Sequence, residues 1–348
     1  MTSLRYVTEN TAALILTDVN RRYLTGFASS LGYLLLTNTG NTLFVDGRYF
    51  EAACKQVSSA KVELMGKIYD QINGRLTTLG VKKVLIETEV SYATYAELKQ
   101  KLSVKVSPSS ALSDRLQVIR SIKRRDEVNC IISAQRIAEK AFDDVLCFIK
   151  EGVTEKQVAS LLEYKMKQYG ADGVAFDTIA VSGKNSSLPH GVPSDKPIEK
   201  GDFVTMDFGA TVNGYRSDMT RTVAVGHATD KMTEVYETVL KAGQAVIDGI
   251  TAGMLCSDAD RRARDVIEKA GFGEFFSHST GHGVGLEVHE VPRLSSACDA
   301  KLRAGQIVTD EPGIYIPGEF GVRIEDMLYV RKNGCKNLTK APKHLIIL

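Results

Sequence analysis

Val204-Thr-Met-Asp207-Phe-Gly209-Ala-Thr-Val212-Asn213-Gly214-Tyr215-Arg-Ser-Asp218-Met-Thr-Arg221-Thr222 organises the reading of the whole chain. Asn213-Gly214 is the strongest short hairpin signal there is, because both central residues of a type I′ turn need φ > 0 and this pair adopts it at little cost. A two-residue loop pairs Val212 with Tyr215, Gly209 with Asp218 and Asp207 with Thr220. Side chains alternate along a strand, so positions 207, 209 and 211 share a face with 216, 218 and 220 of the partner. Asp207 and Asp218 are then diagonal neighbours, about 7–8 Å apart at Cα, and Gly209 is expected to leave room beside Asp218. A single Asp in such a strand is ordinarily a solvated charge. Two carboxylates converging beside a glycine repel unless protonated or bridged by a cation, and a cation is the expectation here.

The 348 residues suggest about two domains of ordinary size. With 43% apolar and 25% charged residues the composition is globular rather than disordered. A net charge of +2 provides no electrostatic case for nucleic acid or an anionic membrane as partner. Met1 to Asn10 holds no apolar core, so no secretory signal is expected. No apolar run approaches the roughly 18 residues of a spanning helix. The cysteines (54, 130, 147, 256, 298, 335) are scattered with no Cys-x-x-Cys pair, which favours reduced thiols in a cytoplasmic protein over disulfides or a thiolate metal site. Every histidine falls after residue 189, so histidine chemistry belongs to the second half.

Ala13–Leu16, Tyr33–Leu36, Leu43–Val45 and Val84–Ile86 read as strands, with a turn at Asn38–Asn41 and a helix over Tyr92–Leu102. These make a small α/β domain. Asp46-Gly-Arg48-Tyr49 reads as a turn with a solvated ion pair. The domain boundary is expected near Ser113–Ile122, giving domains 1–121 and 122–348. Apolar or small residues at 128, 131, 134, 138, 141, 145 and 148 predict a helix over Arg125–Ile149. Thr154 is the expected N-cap of a second helix that stops at Gly170. Met232–Ile250 and a segment from Gly253 to Gly271 echo this arrangement, with the same glycine spacing as Gly152 to Gly170. The echo predicts a second domain built from two similar halves.

His278-Ser-Thr-Gly281-His282-Gly283-Val-Gly285 lacks the spaced third glycine of a dinucleotide fingerprint. Glycines around His282 are read as allowing close approach of backbone and ligand, and beside two converging aspartates His282 is a metal-ligand candidate. Leu286-Glu-Val-His289 alternates as a strand end would, placing His289 at the site with its role as ligand or contact open. Ile307–Tyr315, with Glu311, reads as a strand running into a turn. Val322–Val330, with Arg323 and Glu325, reads as a strand carrying charges amid apolar residues, and buried carboxylates need cations or strong donors. His190, in Ser187-Leu-Pro-His190-Gly191, is equally a surface-loop residue or a substrate contact.

Together, Asp207 and Asp218, Gly-His282-Gly with His289, Glu311-Pro-Gly and Arg-Ile-Glu325-Asp resemble the pita-bread metallopeptidases. The wider chain, including Tyr23-Leu-Thr-Gly-Phe27 and Asp46-Gly-Arg-Tyr49, resembles their Xaa-Pro branch, aminopeptidase P and prolidase. The resemblance implies an α+β protein: a creatinase-like amino-terminal domain followed by a pseudo-symmetric pita-bread catalytic domain. It implies two divalent metal ions held by Asp207, Asp218, His282, Glu311 and Glu325, with Asp218 and Glu325 bridging. A bridging hydroxide would be the nucleophile and Glu311 would assist its deprotonation. His190 and His289 would be catalytic and, with Arg323, would contact substrate. Mn2+ is the expected ion, with Co2+ or Zn2+ as alternatives. Partners would be small peptides with proline second and a second copy of the chain, in a homodimer. A non-catalytic relative, a creatinase-type hydrolase and a methionine aminopeptidase fit less well: the first two would lack the full ligand set, the third the amino-terminal domain. Asp310 departs from the apolar residue usual before Glu-Pro-Gly. With no free cation evident near the His190 loop to meet a carboxylate after proline, the reading leans to an aminopeptidase, with a dipeptidase as the alternative.

Overall fold

The computed structural model describes residues 7–348 and divides the chain between Arg120 and Ser121 into two compact units. The first six residues of the stretch read for a secretory signal lie outside the described residues.

In the first unit, strands β1 (Thr11–Ile15), β2 (Tyr33–Thr37), β3 (Gly40–Val45), β4 (Lys61–Leu64), β5 (Lys83–Ile86) and β6 (Lys105–Pro108) form one mixed sheet, ordered β4-β3-β2-β1-β5-β6. Its central strands are continuously apolar because both faces are covered. Leu14, Leu35, Phe44 and Ile86 face one core with Ile72, Leu76 and Leu98, and Ile15, Leu34 and Leu43 face another with Ala53, Leu112 and Leu116. The covering helices are α1 (Asp18–Thr25), α2 (Phe50–Gln56), α3 (Ile68–Thr78), α4 (Tyr92–Lys101) and α5 (Ser110–Ser121). Asp46 and Arg48 form an exposed turn ion pair at 2.7 Å.

The second unit opens with α6 (Arg125–Leu146), three residues shorter than the period predicts, because residues 147–149 turn away. Thr154 caps α7 (Glu155–Gln168) in a reciprocal box with Gln157. Then come β7 (Gly173–Val174), β8 (Ile179–Ser182), β9 (Phe203–Phe208), β10 (Ala210–Val212), β11 (Tyr215–Arg216) and β12 (Met219–Ala224). The second half repeats the plan with α8 (Asp230–Gly249) and α9 (Cys256–Lys269). Its strands are β13 (Gly281–Gly283), β14 (Glu290–Leu294), β15 (Ile307–Asp310), β16 (Gly313–Ile316), β17 (Phe320–Arg323), β18 (Asp326–Val330) and β19 (Cys335–Asn337). Each half has its own apolar core under its helix pair, one around Phe142, Leu162 and Phe208, the other around Tyr236, Val246 and Ile267. Gly152, Gly170, Gly253 and Gly271 all have φ between 83° and 96°, so the echoed glycines bracket equivalent helices in left-handed turns. Among the described residues no helix is long and apolar enough to cross a membrane.

Four readings are corrected at the site. The Asn213-Gly214 turn has the expected positive φ values of 49° and 75° and the expected register, but the ladder breaks at Gly209. β9 and β12 join β8, while β10 and β11 join β7. Gly209 does not provide room for a ligand: a Cβ there would lie 1.9 Å from the Ser217 carbonyl oxygen. Residues 286–289 are an irregular loop rather than a strand end, held by the Glu290 carboxylate, which accepts from Leu286 N at 3.1 Å. Val322–Val330 is two strands, and at the break Glu325 N donates to Thr220 O at 3.1 Å.

Candidate metal centre

The break in the hairpin and the break between β17 and β18 meet, and this delivers carboxylates from three directions. Asp207 is the penultimate residue of β9, Asp218 precedes β12 and Glu325 sits between β17 and β18. His282, central in β13, and Glu311, just past β15, complete the group. Ligand atoms of Asp218, His282 and Glu325 lie within 4.8 Å of one another. His282 Nε2 is 3.2 Å from Glu311 Oε1 and 3.7 Å from Asp218 Oδ2. Its Nδ1 meets Gly283 O at 3.1 Å, which as a pure acceptor requires the proton on Nδ1 and aims Nε2 into the group.

The surrounding shell orders these groups. Arg323 donates to Asp207 Oδ2 (2.7 Å), Thr220 Oγ1 (3.0 Å), Tyr315 OH (2.7 Å) and Pro189 O (3.3 Å). Thr220 Oγ1 donates to Glu325 Oε2 at 2.7 Å, and Thr309 Oγ1 to Glu311 Oε1 at 3.1 Å. Arg221, the residue after Asp207's cross-strand partner Thr220, is fully committed to Glu325 O, Asp326 and the carbonyls of Ala341 and Pro342. Asp310 points away from the group, toward Gly243 of α8 and opposite Asp326 in the β15–β18 register.

Charge within the group is unbalanced. Burial drives the Asp218 and Glu325 carboxyls well above their usual range, and Asp207 beside the first and Asp218 beside the second push the same way. Burial raises Asp207 as well, against the pull of Arg323. Burial also opposes charge on His282, yet Glu311 outweighs it and lifts the imidazole to about 9. Glu311, despite burial, is drawn down to about 2 by His282. Asp207 Oδ1 and Glu325 Oε1 are buried with no hydrogen-bond partner. Orphaned carboxylate oxygens, mutual repulsion and one imidazole nitrogen aimed at them are the donor set of a hard divalent cation, so the residues present fit metal ions.

This electrostatics predicts a pH effect. His282 is raised, so the stability it contributes is complete below its unfolded value of 6.5 and is lost as pH climbs through about 9. Asp218 and Glu325 are also raised, so their ionisation costs the fold stability above their unfolded values, the same direction. Chelator-treated protein is therefore expected to lose Tm between about pH 6 and about pH 9, whereas protein in excess divalent ion holds its Tm, because ions bind the ionised donors. A flat or rising Tm in chelator over that range contradicts the assignment.

A cavity of about 550 Å³ opens on the group. His190 and His289 line it, both exposed, and the His289 ring lies edge-on to His282 at 4.3 Å between centroids. Three wall residues escaped the sequence reading. His278 accepts from Tyr315 OH at Nε2 (2.9 Å) and donates from Nδ1 to Ser279 O (2.8 Å). Arg216 and Arg293 bring two further cations. Arg293 is exposed and is the direct cross-strand partner of His282, a placement that only the pairing of β13 with β14 makes visible.

Two family models match the chain: Metallopeptidase family M24 over residues 129–332 and the Creatinase/Prolidase N-terminal domain over residues 9–119. An Xaa-Pro dipeptidase of Pyrococcus horikoshii is 44% identical over 96% of this chain and 94% of that one. Among solved structures, an Xaa-Pro dipeptidase from Bacillus anthracis superposes with a TM-score of 0.94 at 42% identity, covering 97% of this chain and 95% of that one. An X-Pro aminopeptidase from Thermotoga maritima gives a TM-score of 0.92 at 36% identity, covering 99% of both.

Proposed function

We propose that this chain, which belongs to metallopeptidase family M24, hydrolyses the bond between a first residue and a following proline, as a dipeptidase in preference to an aminopeptidase. The observation that carries the preference is Arg293, a cation on the wall of the cavity that holds the five-residue centre. The carboxylate of an Xaa-Pro dipeptide follows the proline directly and needs such a partner when it leaves water. The dipeptidase names borne by the Pyrococcus and Bacillus relatives support the same choice, against the lean of the sequence reading. Phe176, Ile179 and Val288 offer the proline ring an apolar wall, and proline's missing N–H removes a donor on which a site for ordinary peptides could rely.

Asp207, Asp218, His282, Glu311 and Glu325 would hold two divalent ions, with Asp218 and Glu325 shared. Such ions supply a water of lowered pKa and polarise a carbonyl. With four carboxylates and one imidazole in the five-residue group and no thiol on the cavity wall, the donor set favours Mn2+ or Co2+. Glu311, kept ionised, accepts a proton from the attacking water. Burial and the neighbouring His282 lower His289, so it is a neutral imidazole at pH 7 whose N–H can donate to the developing oxyanion. His190 meets the residue after the scissile bond. Arg323, its donors engaged by Asp207, Thr220, Tyr315 and Pro189, orders the centre.

A second cleft, lined by Ser277, Ser279, Ser295 and Ser296, shares His278, Ser279 and Arg293 with the cavity, and it favours the aminopeptidase reading by giving a longer chain somewhere to run. The test compares kcat/KM for an Xaa-Pro dipeptide and the same peptide extended by one residue, in the unmodified protein and in Arg293→Met. The dipeptide is expected to be preferred by about tenfold, roughly 1.4 kcal/mol, with Arg293→Met removing the preference. A preference for the tripeptide, or equal losses on both substrates, contradicts this reading.

A further inference from the structure

His190 reaches the cavity on residues 188–193, which have neither helix nor strand, and Leu188, His190 and Val192 are all exposed. Besides the turn bonds from Leu188 N to Asn185 O and from Gly191 N to Leu188 O, one side chain behind the loop ties its two flanks together. Glu155, the first residue of α7, is fully buried and spends both oxygens on the two ends of the loop. Oε1 accepts from Ser182 N (2.6 Å), Ser182 Oγ (3.1 Å) and Asn185 Nδ2 (3.1 Å), all before the loop. Oε2 accepts from Ser194 N (3.0 Å) and Ser194 Oγ (2.6 Å), after it, and from Asn185 Nδ2 at 3.2 Å. A carboxylate has about four lone-pair positions, so this one is saturated, and every contact is to the flanks of the His190 loop. At mid-loop, Arg323 Nη1 reaches Pro189 O at 3.3 Å while its Nη2 holds Asp207, so the loop and the metal centre are tied through one guanidinium.

We propose that Glu155 is a positioning residue for His190: it clamps both ends of the loop so that the imidazole is presented to the cavity at a fixed place. Glu155 is not among the residues that line the cavity, and its carboxylate bonds only to Ser182, Asn185 and Ser194. The proposal rests on His190 being a substrate contact. Replacing the carboxylate by an amide substitutes a donor for one of two acceptors and sets it against N–H and O–H groups that are themselves donors. One end of the loop is released, and displacement of a positioning group by about 1 Å costs on the order of 10²-fold in rate.

The test is a double-mutant cycle on the metal-loaded protein with an Xaa-Pro dipeptide, using Glu155→Gln, His190→Ala and the pair. Glu155→Gln is expected to lower kcat/KM by about 10- to 100-fold with metal content unchanged. In the His190→Ala background it is expected to cost no more than about a further twofold, because residues acting through one group are not additive. Losses that multiply in the double variant overturn the proposal and make Glu155 a general support of the fold. Full activity in His190→Ala overturns the reading of His190 itself, and the proposal with it. Should Glu155→Gln fail to fold, Asn185→Ala removes only the two contacts at 3.1 and 3.2 Å. Its smaller loss is likewise expected to vanish in the His190→Ala background, and an additive loss there overturns the proposal.

Discussion

Asp218→Ala and Glu325→Ala are each expected to lower Xaa-Pro hydrolysis by more than about 10³-fold, the several kcal/mol that metal-assisted activation is worth, and to leave too little metal for both ions to bind. Both carboxylates lie where the hairpin break meets the β17–β18 break, and each is buried against other carboxylates with His282 the nearest imidazole. The same geometry predicts an opposite effect on the stripped protein. Removing one of several mutually repelling buried carboxylates relieves repulsion, so in chelator both variants are expected to melt no lower than the unmodified chain. This separates loss of a metal ligand from loss of fold. Retention of two ions and full activity in either variant refutes the site, and a collapse of Tm in chelator refutes the electrostatic account.

His289→Ala is expected to keep both ions and to lose about 10²- to 10³-fold in kcat, the usual cost of one oxyanion donor. The loss should fall equally on kcat and kcat/KM, since the interaction exists only in the transition state. The imidazole is exposed to the cavity and stands edge-on to His282 at 4.3 Å between ring centroids, close enough to the centre to meet a substrate oxygen. Metal loss in this variant would make His289 a ligand. A rise in KM at constant kcat would make it a ground-state contact.

Much of this was legible because it is local. Asn213-Gly214 dictates a type I′ turn wherever the hairpin sits, so the pairing of Asp207 with Thr220 could be counted off the sequence. The helix periods and the repeated glycines are local in the same sense. What was not legible depends on segments far apart in sequence. The sequence suggests that Gly209 leaves room beside Asp218, yet it answers to the Ser217 carbonyl packed onto it. The alternation of Leu286 to His289 suggested a strand, but the Glu290 carboxylate captures the loop's amides first. Arg293 carries no local signal at all, and its position opposite His282 exists only once β13 and β14 pair. Without that cation in view, the sequence favours an aminopeptidase. Asp310 looked like an extra carboxylate at the centre, and strand alternation turns it to the other face, while Thr309 serves Glu311.

If Asp207, Asp218, His282, Glu311 and Glu325 hold two divalent ions, Xaa-Pro cleavage depends on both. Titrating Mn2+ into fully stripped protein, with bound metal and hydrolysis of an Xaa-Pro dipeptide followed together, tests it most directly. No activity is expected in chelator, with two ions bound at saturation, activity complete only when both sites are filled, and Co2+ an effective substitute. Hydrolysis by the stripped protein, or activity restored by Zn2+ but by neither Mn2+ nor Co2+, would contradict it.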